Sequence, residues 1–137
     1  MTDLRIAIIG LGYVGGPLLA AFAEQYKVMG FDISPDRIDE LTAGRDRTGE
    51  LNEQEMSHLG NSLLTSNPED IKGANVYIVT VPTPVNDDQT PDLEPLEIAC
   101  ATIGPLLNEG DTVIFESTVY PGATEDCLLY TSDAADE

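Results

Sequence analysis

Gly10-Leu11-Gly12-Tyr13-Val14-Gly15 is the segment whose residue types and spacing point most directly to chemistry. A G-x-G-x-x-G hexamer alone is a weak signal, because glycine-rich hexamers arise by chance. Here it follows the apolar run Ile6-Ala7-Ile8-Ile9 and opens a helical pattern, and an acid, Asp32, stands 17 residues after its last glycine. That context is the fingerprint of a dinucleotide site. Gly10 permits the tight turn out of a strand. Gly12 lacks a Cβ, so the backbone can approach a pyrophosphate. Gly15 lets the following helix pack close to the sheet. The helix N-terminus offers unpaired N–H groups and a partial positive charge to phosphates. Asp32 closes Gly30-Phe31-Asp32, where a carboxylate accepts hydrogen bonds from the adenosine ribose and repels a 2′-phosphate. This predicts NAD in preference to NADP. The competing reading of Asp32 is a helix-capping or loop acid.

Other residues leave two readings open. Arg37 either covers the adenosine or stands as a solvated helix residue. Tyr13 leans over the cofactor or packs on the first helix. Thr83 and Thr118 fall just past strand ends, where ligands of doubly wound sheets bind. Each offers a hydroxyl to the cofactor or caps its own loop. Glu116 is an acid or base, or a cap for the next segment. His58 reads as a surface residue. Cys100 lies in a helical pattern with Ile98, Ile103 and Leu107, which makes it a core residue before a nucleophile. Cys100 and Cys127 support neither a zinc site nor a disulfide framework, and no metal is expected.

The elements that must hold these groups alternate short apolar runs with amphipathic stretches. That pattern predicts an α/β fold with a doubly wound parallel sheet of Rossmann type. Strands are expected at 6–9, 27–32, 76–81 and 112–116. A helix is expected over 17–26. A second starts at Ser34-Pro35-Asp36, with cap, proline and acid in order, and stops near Gly44. Residues 45–62 are polar, with a short helix at 53–59. Asn67-Pro68-Glu69-Asp70 repeats the cap signal before a very short helix. Residues 93–107 read as a helix that Pro105 breaks or kinks. Residues 117–122 read as a loop.

The chain has 137 residues, the length of one domain, and its 42% apolar content suits a globular core. No apolar run is long enough to span a bilayer. Met1-Thr2-Asp3 carries an acid where a signal peptide wants bases, so a cytoplasmic location is expected. Twenty-five acids against six bases give a net charge of −19. Such a surface repels nucleic acid and anionic membranes, and neither is expected as a partner. A nucleotide must then be held by local backbone donors. The composition also suggests a source with high internal salt. Residues 127–137 do not continue the preceding pattern and resemble the in-frame translation of a sequencing-library adapter. They are expected to be a non-native tail on a domain of residues 1–126 whose sheet is C-terminally truncated. Without Asp133, Asp136 and Glu137 the charge is still −16.

Four ordered segments together are far more specific than the glycine loop. They are 8–15, then Phe31-Asp32-Ile33 with Arg37, then Val81-Pro82-Thr83-Pro84, then Glu116-Ser117-Thr118-Val119-Tyr120-Pro121-Gly122. In this combination the chain resembles the NAD-binding part of the UDP-glucose/GDP-mannose dehydrogenase family over residues 4–126. Pro91-Asp92-Leu93 with Pro95-Leu96 makes it most similar to the UDP-N-acetyl-hexosamine 6-dehydrogenases of the Vi-polysaccharide type. The resemblance implies oxidation of the C6 alcohol of a UDP-sugar to a carboxylate with two NAD, feeding surface polysaccharide. It implies that Tyr13 and Val14 border the phosphates, Asp32 and Arg37 the adenosine, and Thr83 and Thr118 the nicotinamide half. Thr118 also falls near the reacting carbon, the one catalytic residue the resemblance places in this chain. The family's catalytic cysteine, lysine and asparagine lie in later segments, so this chain by itself is expected to turn nothing over. The full-length protein is expected to form a homo-oligomer. Gly16 departs from the family, which carries a larger apolar residue there. Two other readings remain: another Rossmann dehydrogenase of the hydroxy-acid or 6-phosphogluconate type, against which the 116–122 segment argues, and a stand-alone NAD-binding or regulatory module.

Overall fold

The computed structural model describes residues 4–60 and 62–116. The expected loop at 117–122, Thr118 and the tail at 127–137 lie outside the described residues. Five strands form one parallel sheet: β1 (Ile6–Ile9), β2 (Val28–Phe31), β3 (Leu63–Thr65), β4 (Val76–Val79) and β5 (Thr112–Phe115). Their order is β3-β2-β1-β4-β5. The chain runs outward from β1 to β3, returns to β4 and continues to β5. The sheet direction therefore reverses between β1 and β4, and a doubly wound sheet opens a ligand crevice at that switch point.

Successive side chains on each strand feed opposite faces. Ala7, Ile9, Phe31, Tyr77 and Val79 enter one core, with Leu96, Ala99 and Ile103 from helix α4 (Glu94–Ile103). Ile6, Ile8, Val28 and Ile78 enter the other. There they meet Leu19 from α1 (Gly15–Ala23), Ile38 and Leu41 from α2 (Pro35–Thr42) and Leu59 from α3 (Glu53–Leu59). β1 is buried at all four positions because both faces are covered, which is why it reads as an unbroken apolar run.

Local signals place the helix ends. Ser34 caps α2, its hydroxyl accepting the Arg37 N–H, and Pro35 follows at the first helical position. Asn52 and Glu55 form a reciprocal capping box on α3. Asn67 caps the one-turn 3₁₀ segment Pro68–Ile71. Pro105 ends α4 as expected, and the chain passes into a 3₁₀ turn, Gly104–Leu106. α1 begins two residues earlier than its pattern suggests and ends at Ala23. β4 stops at Val79, before the prolines. β3 was not expected. His58 is half-buried, its Nε2 3.1 Å from a Glu24 carboxylate oxygen where α3 packs on the end of α1. Among the described residues no helix is long and apolar enough to cross a membrane.

Candidate cofactor site

The carboxyl ends of β1, β2 and β4 and one side of α4 enclose a cleft of about 400 Å³. Gly10, Leu11, Gly12 and Asp32 form one wall, and Thr80, Val81 and Pro82 the other. Ile33 at the end of β2 and Ile98 on α4 add exposed apolar surface at its rim.

The glycine turn is fixed almost atom by atom. Gly10 takes φ +97°, a conformation that side chains rarely adopt. Its N–H donates to Phe31 O at 2.8 Å. Its carbonyl accepts the Thr80 hydroxyl at 2.6 Å. The Leu11 N–H donates to Asp32 Oδ2 at 2.9 Å, and the Leu11 carbonyl accepts Arg37 Nε at 2.6 Å. A Cβ on Gly15 would stand 1.7 Å from Gly10 O and 2.5 Å from Thr80 Oγ1, so only glycine allows this contact between helix and turn. A Cβ on Gly12 would meet nothing within 4 Å. Space is thus left open above Gly12, whereas Gly15 is packed against its neighbours. Gly15 thus serves packing, as its spacing suggests, and Gly12 leaves room for an approach.

The N–H groups of Gly12, Tyr13 and Val14 find no acceptor among the described residues. Val14 caps α1 without a side-chain hydrogen bond, and the first turn of the helix carries no acid. Capping residues or water would ordinarily satisfy such donors. Uncapped donors beside an open cleft are groups of the kind that bind a phosphate. These observations on the turn itself fit a dinucleotide.

The sequence-selected residues divide by position. Gly10, Gly12 and Asp32 line the cleft, and Gly15 packs against Gly10 and Thr80 beside it. Tyr13 is 69% exposed and Val14 54%, so both protrude next to Gly12 in the chain and Tyr13 is not packed on α1. Asp32 accepts from Leu11 through Oδ2 and from the Ser34 N–H through Oδ1, both at 2.9 Å. Each carboxylate oxygen keeps a second acceptor direction for a ribose hydroxyl. The loop-acid reading and the ribose reading are therefore compatible. Arg37 is not a solvated helix residue. It is 6% exposed and lies beneath the turn, paired with Glu40 and Asp46. Thr83 lies half-buried, three residues beyond Thr80 on the way out of β4. Glu116 is exposed at the end of β5, its N–H bonded to Val79 O. Cys100 is fully buried on α4 and is disulfide-bonded, where the sequence supported no disulfide framework. Among the described residues no group of three His, Cys, Asp or Glu is placed to hold a metal ion.

Sequence reasoning missed Thr80. It is buried at the carboxyl end of β4 and touches both the turn and the cleft. A single polar residue closing the run Val76-Tyr77-Ile78-Val79 was the available signal.

Comparison with known proteins agrees with this geometry. The family model described as "UDP-glucose/GDP-mannose dehydrogenase family, NAD binding domain" matches residues 4–137. The chain is 50% identical over 129 residues to a UDP-N-acetyl-D-glucosamine 6-dehydrogenase of Pseudomonas aeruginosa, covering 93% of this chain and 31% of that protein. Its structure is similar to that of a UDP-D-ManNAc dehydrogenase from Pyrococcus horikoshii, with a TM-score of 0.87 at 36% identity over 98% of this chain and 33% of that one. It is also similar to a GDP-mannose dehydrogenase from P. aeruginosa solved as a ternary complex, with a TM-score of 0.87 at 26% identity and the same coverage. The chain thus spans about a third of the length of the relatives it matches.

Proposed function

This chain belongs to the UDP-glucose/GDP-mannose dehydrogenase family as its NAD-binding domain, and from that premise we propose that it serves a UDP-N-acetyl-hexosamine 6-dehydrogenase. The whole protein oxidises the sugar C6 alcohol to a carboxylate in two steps, one NAD for each. The observation that carries the cofactor assignment is the row of unpaired N–H groups at Gly12, Tyr13 and Val14, over open space and beside Asp32. NAD, when bound, supplies the hydride acceptor. This chain's residues bind and orient it.

The turn from Gly10 to Gly15 holds the pyrophosphate through main-chain donors. Asp32 takes the adenosine ribose hydroxyls, and its charge disfavours a 2′-phosphate. Arg37 supports the adenosine end from beneath the turn. Thr83 and Thr118 border the nicotinamide half, and Thr118 helps to place substrate or water at the reacting carbon. The 50% identity to a UDP-N-acetyl-D-glucosamine 6-dehydrogenase supports the substrate class. We place the whole protein in the cytoplasm as a homo-oligomer, without nucleic-acid or membrane partners.

Calorimetric titration of the 137-residue chain with NAD and NADP tests the cofactor assignment. NAD binds and NADP binds at least about tenfold more weakly, the order of one charge-assisted hydrogen bond lost and one repulsion gained. Asp32→Asn narrows that gap from the NAD side. Equal affinities for the two cofactors in the unaltered chain would overturn the role given to Asp32.

A further inference from the structure

We infer that Asp46, a residue that does not line the cleft and lies outside every cofactor motif, is a positioning residue that holds the phosphate turn through Arg37. The inference rests on the cofactor reading above for its functional meaning. Its geometry stands on its own.

Arg37 is the only side chain bonded to the Leu11 carbonyl among the described residues, with Nε at 2.6 Å. Leu11 is the residue between the first two glycines, so this bond fixes the peptide plane that leads into Gly12. The opposite side of Leu11 is held by Asp32, and the turn is thus gripped between one cation and one anion. The guanidinium is buried and must keep its charge compensated. Its Nη1 pairs with Glu40, one turn further along α2, and with Asp46 Oδ1 at 2.9 Å. Nη2 is buried without a partner, lying against the start of α1.

The two acids hold Arg37 differently. Glu40 sits on the same helix and also pairs with the exposed Arg47. Asp46 is the hub of the α2–α3 connection. Its carboxylate accepts the Thr48 hydroxyl, the Thr48 N–H at 3.1 Å and the Leu51 N–H at 3.0 Å. Its side chain is 4% exposed. A rigid loop therefore presents a fixed anion to Arg37, and Arg37 presents a fixed donor to Leu11. Loss of Asp46 releases Arg37 and, through it, the orientation of the turn. Adenosine, whose ribose falls to Asp32, is affected less by that change than the phosphates are.

The test uses the 137-residue chain, Asp46→Asn and Arg37→Met. Arg37→Met cuts the same link from the other side and leaves the Asp46 loop intact, so it serves if Asp46→Asn does not fold. Amide hydrogen exchange without ligand is expected to speed up at Leu11 in both variants by about tenfold, as for a lost charge-assisted bond, with Ile78 and Val79 on β4 unchanged. Affinity for NAD and for ADP is expected to fall by a similar factor, with a smaller loss for adenosine. Unchanged exchange at Leu11 overturns the inference. So does an equal loss for ADP and adenosine, which marks direct adenosine contact or general destabilisation. If the unaltered chain binds neither NAD nor ADP, the cofactor reading fails, and the exchange at Leu11 still decides the link itself.

Discussion

Asp46 is also the residue whose titration has the clearest consequence for stability. Burial on its own would push its carboxyl up. Hydrogen bonds from the Thr48 hydroxyl, from Arg37 and from the Thr48 and Leu51 N–H groups outweigh that and lower it from 3.8 to about 2. A carboxyl depressed in the folded state stabilises the fold above its unfolded value and loses that contribution as pH falls through its folded value. The window here is from about pH 4 down to about pH 2, and the contribution is on the order of 2 kcal/mol. Urea unfolding of Asp46→Asn is expected to give a lower stability at pH 7 and a shallower decline between pH 4 and pH 2 than the unaltered chain. Parallel declines in the two proteins would assign the acid sensitivity to other carboxylates. None of this was visible in the sequence. Asp46 lies in a polar stretch without periodicity, and its partners Arg37, Thr48 and Leu51 come together only through the return of the loop onto α2. Asp32 was visible because a strand end and a glycine spacing fix its place by local geometry alone. Arg37 was half visible: its spacing from Asp32 marked it out, but its burial depends on that same loop.

The two glycines at the start of α1 have opposite consequences for packing and binding. Gly15→Ala would place a Cβ 1.7 Å from a backbone oxygen, and no side-chain movement can relieve that. The β1–α1 turn must distort, at a cost of about 3 kcal/mol or more. Gly12→Ala meets no atom within 4 Å and should melt within a degree or two of the unaltered chain, in keeping with a small surface change. The added methyl instead occupies the space a phosphate would take, and NAD affinity should fall by at least about tenfold. Thermal melts and NAD titrations of the two variants therefore separate packing from approach. If Gly12→Ala melted far lower, or bound NAD normally, the open space above the turn would have no role. Elements were legible where local rules decide them. The cap, proline and acid at Ser34, the same signal at Asn67 and the break at Pro105 all act within one turn of chain. β3 was not legible. Leu63-Leu64-Thr65 is three residues long, and Leu63 is 46% exposed at the sheet edge. So short a run carries neither alternation nor a continuous apolar signal. What makes it a strand is pairing with Met29, Gly30 and Phe31. That pairing packs Leu64 within 3.1 Å of where a Gly30 side chain would begin.

At the scale of the whole molecule, a chain of net charge −19 holds a site for an anion. The two are reconciled by distance. The N–H donors of Gly12 to Val14 and the N-terminus of α1 act over a few ångströms, at contact with a phosphate. Outside the cleft, which Asp32, Asp92 and Glu94 line, the field of the acids is cut off within a Debye length, about 10 Å at 0.1 M salt. The cation nearest the turn, Arg37, is already neutralised by Glu40 and Asp46, so no free basic field assists binding there. A sign follows that is the reverse of the usual one. Where basic side chains attract a nucleotide, added salt weakens binding. Here salt screens a repulsion and leaves the short-range donors in place. The dissociation constant for NAD is therefore expected to fall, or at most stay level, between 20 and 200 mM sodium chloride, on the order of one Debye-length contraction. The melting temperature should rise over the same range as self-repulsion among the acids is relieved. Calorimetric titrations at the two salt concentrations measure the first, and melts in the same buffers the second. A several-fold weakening of NAD with salt would mean that a cation outside the Arg37 network reaches the phosphates. The backbone cradle would then not be what holds them.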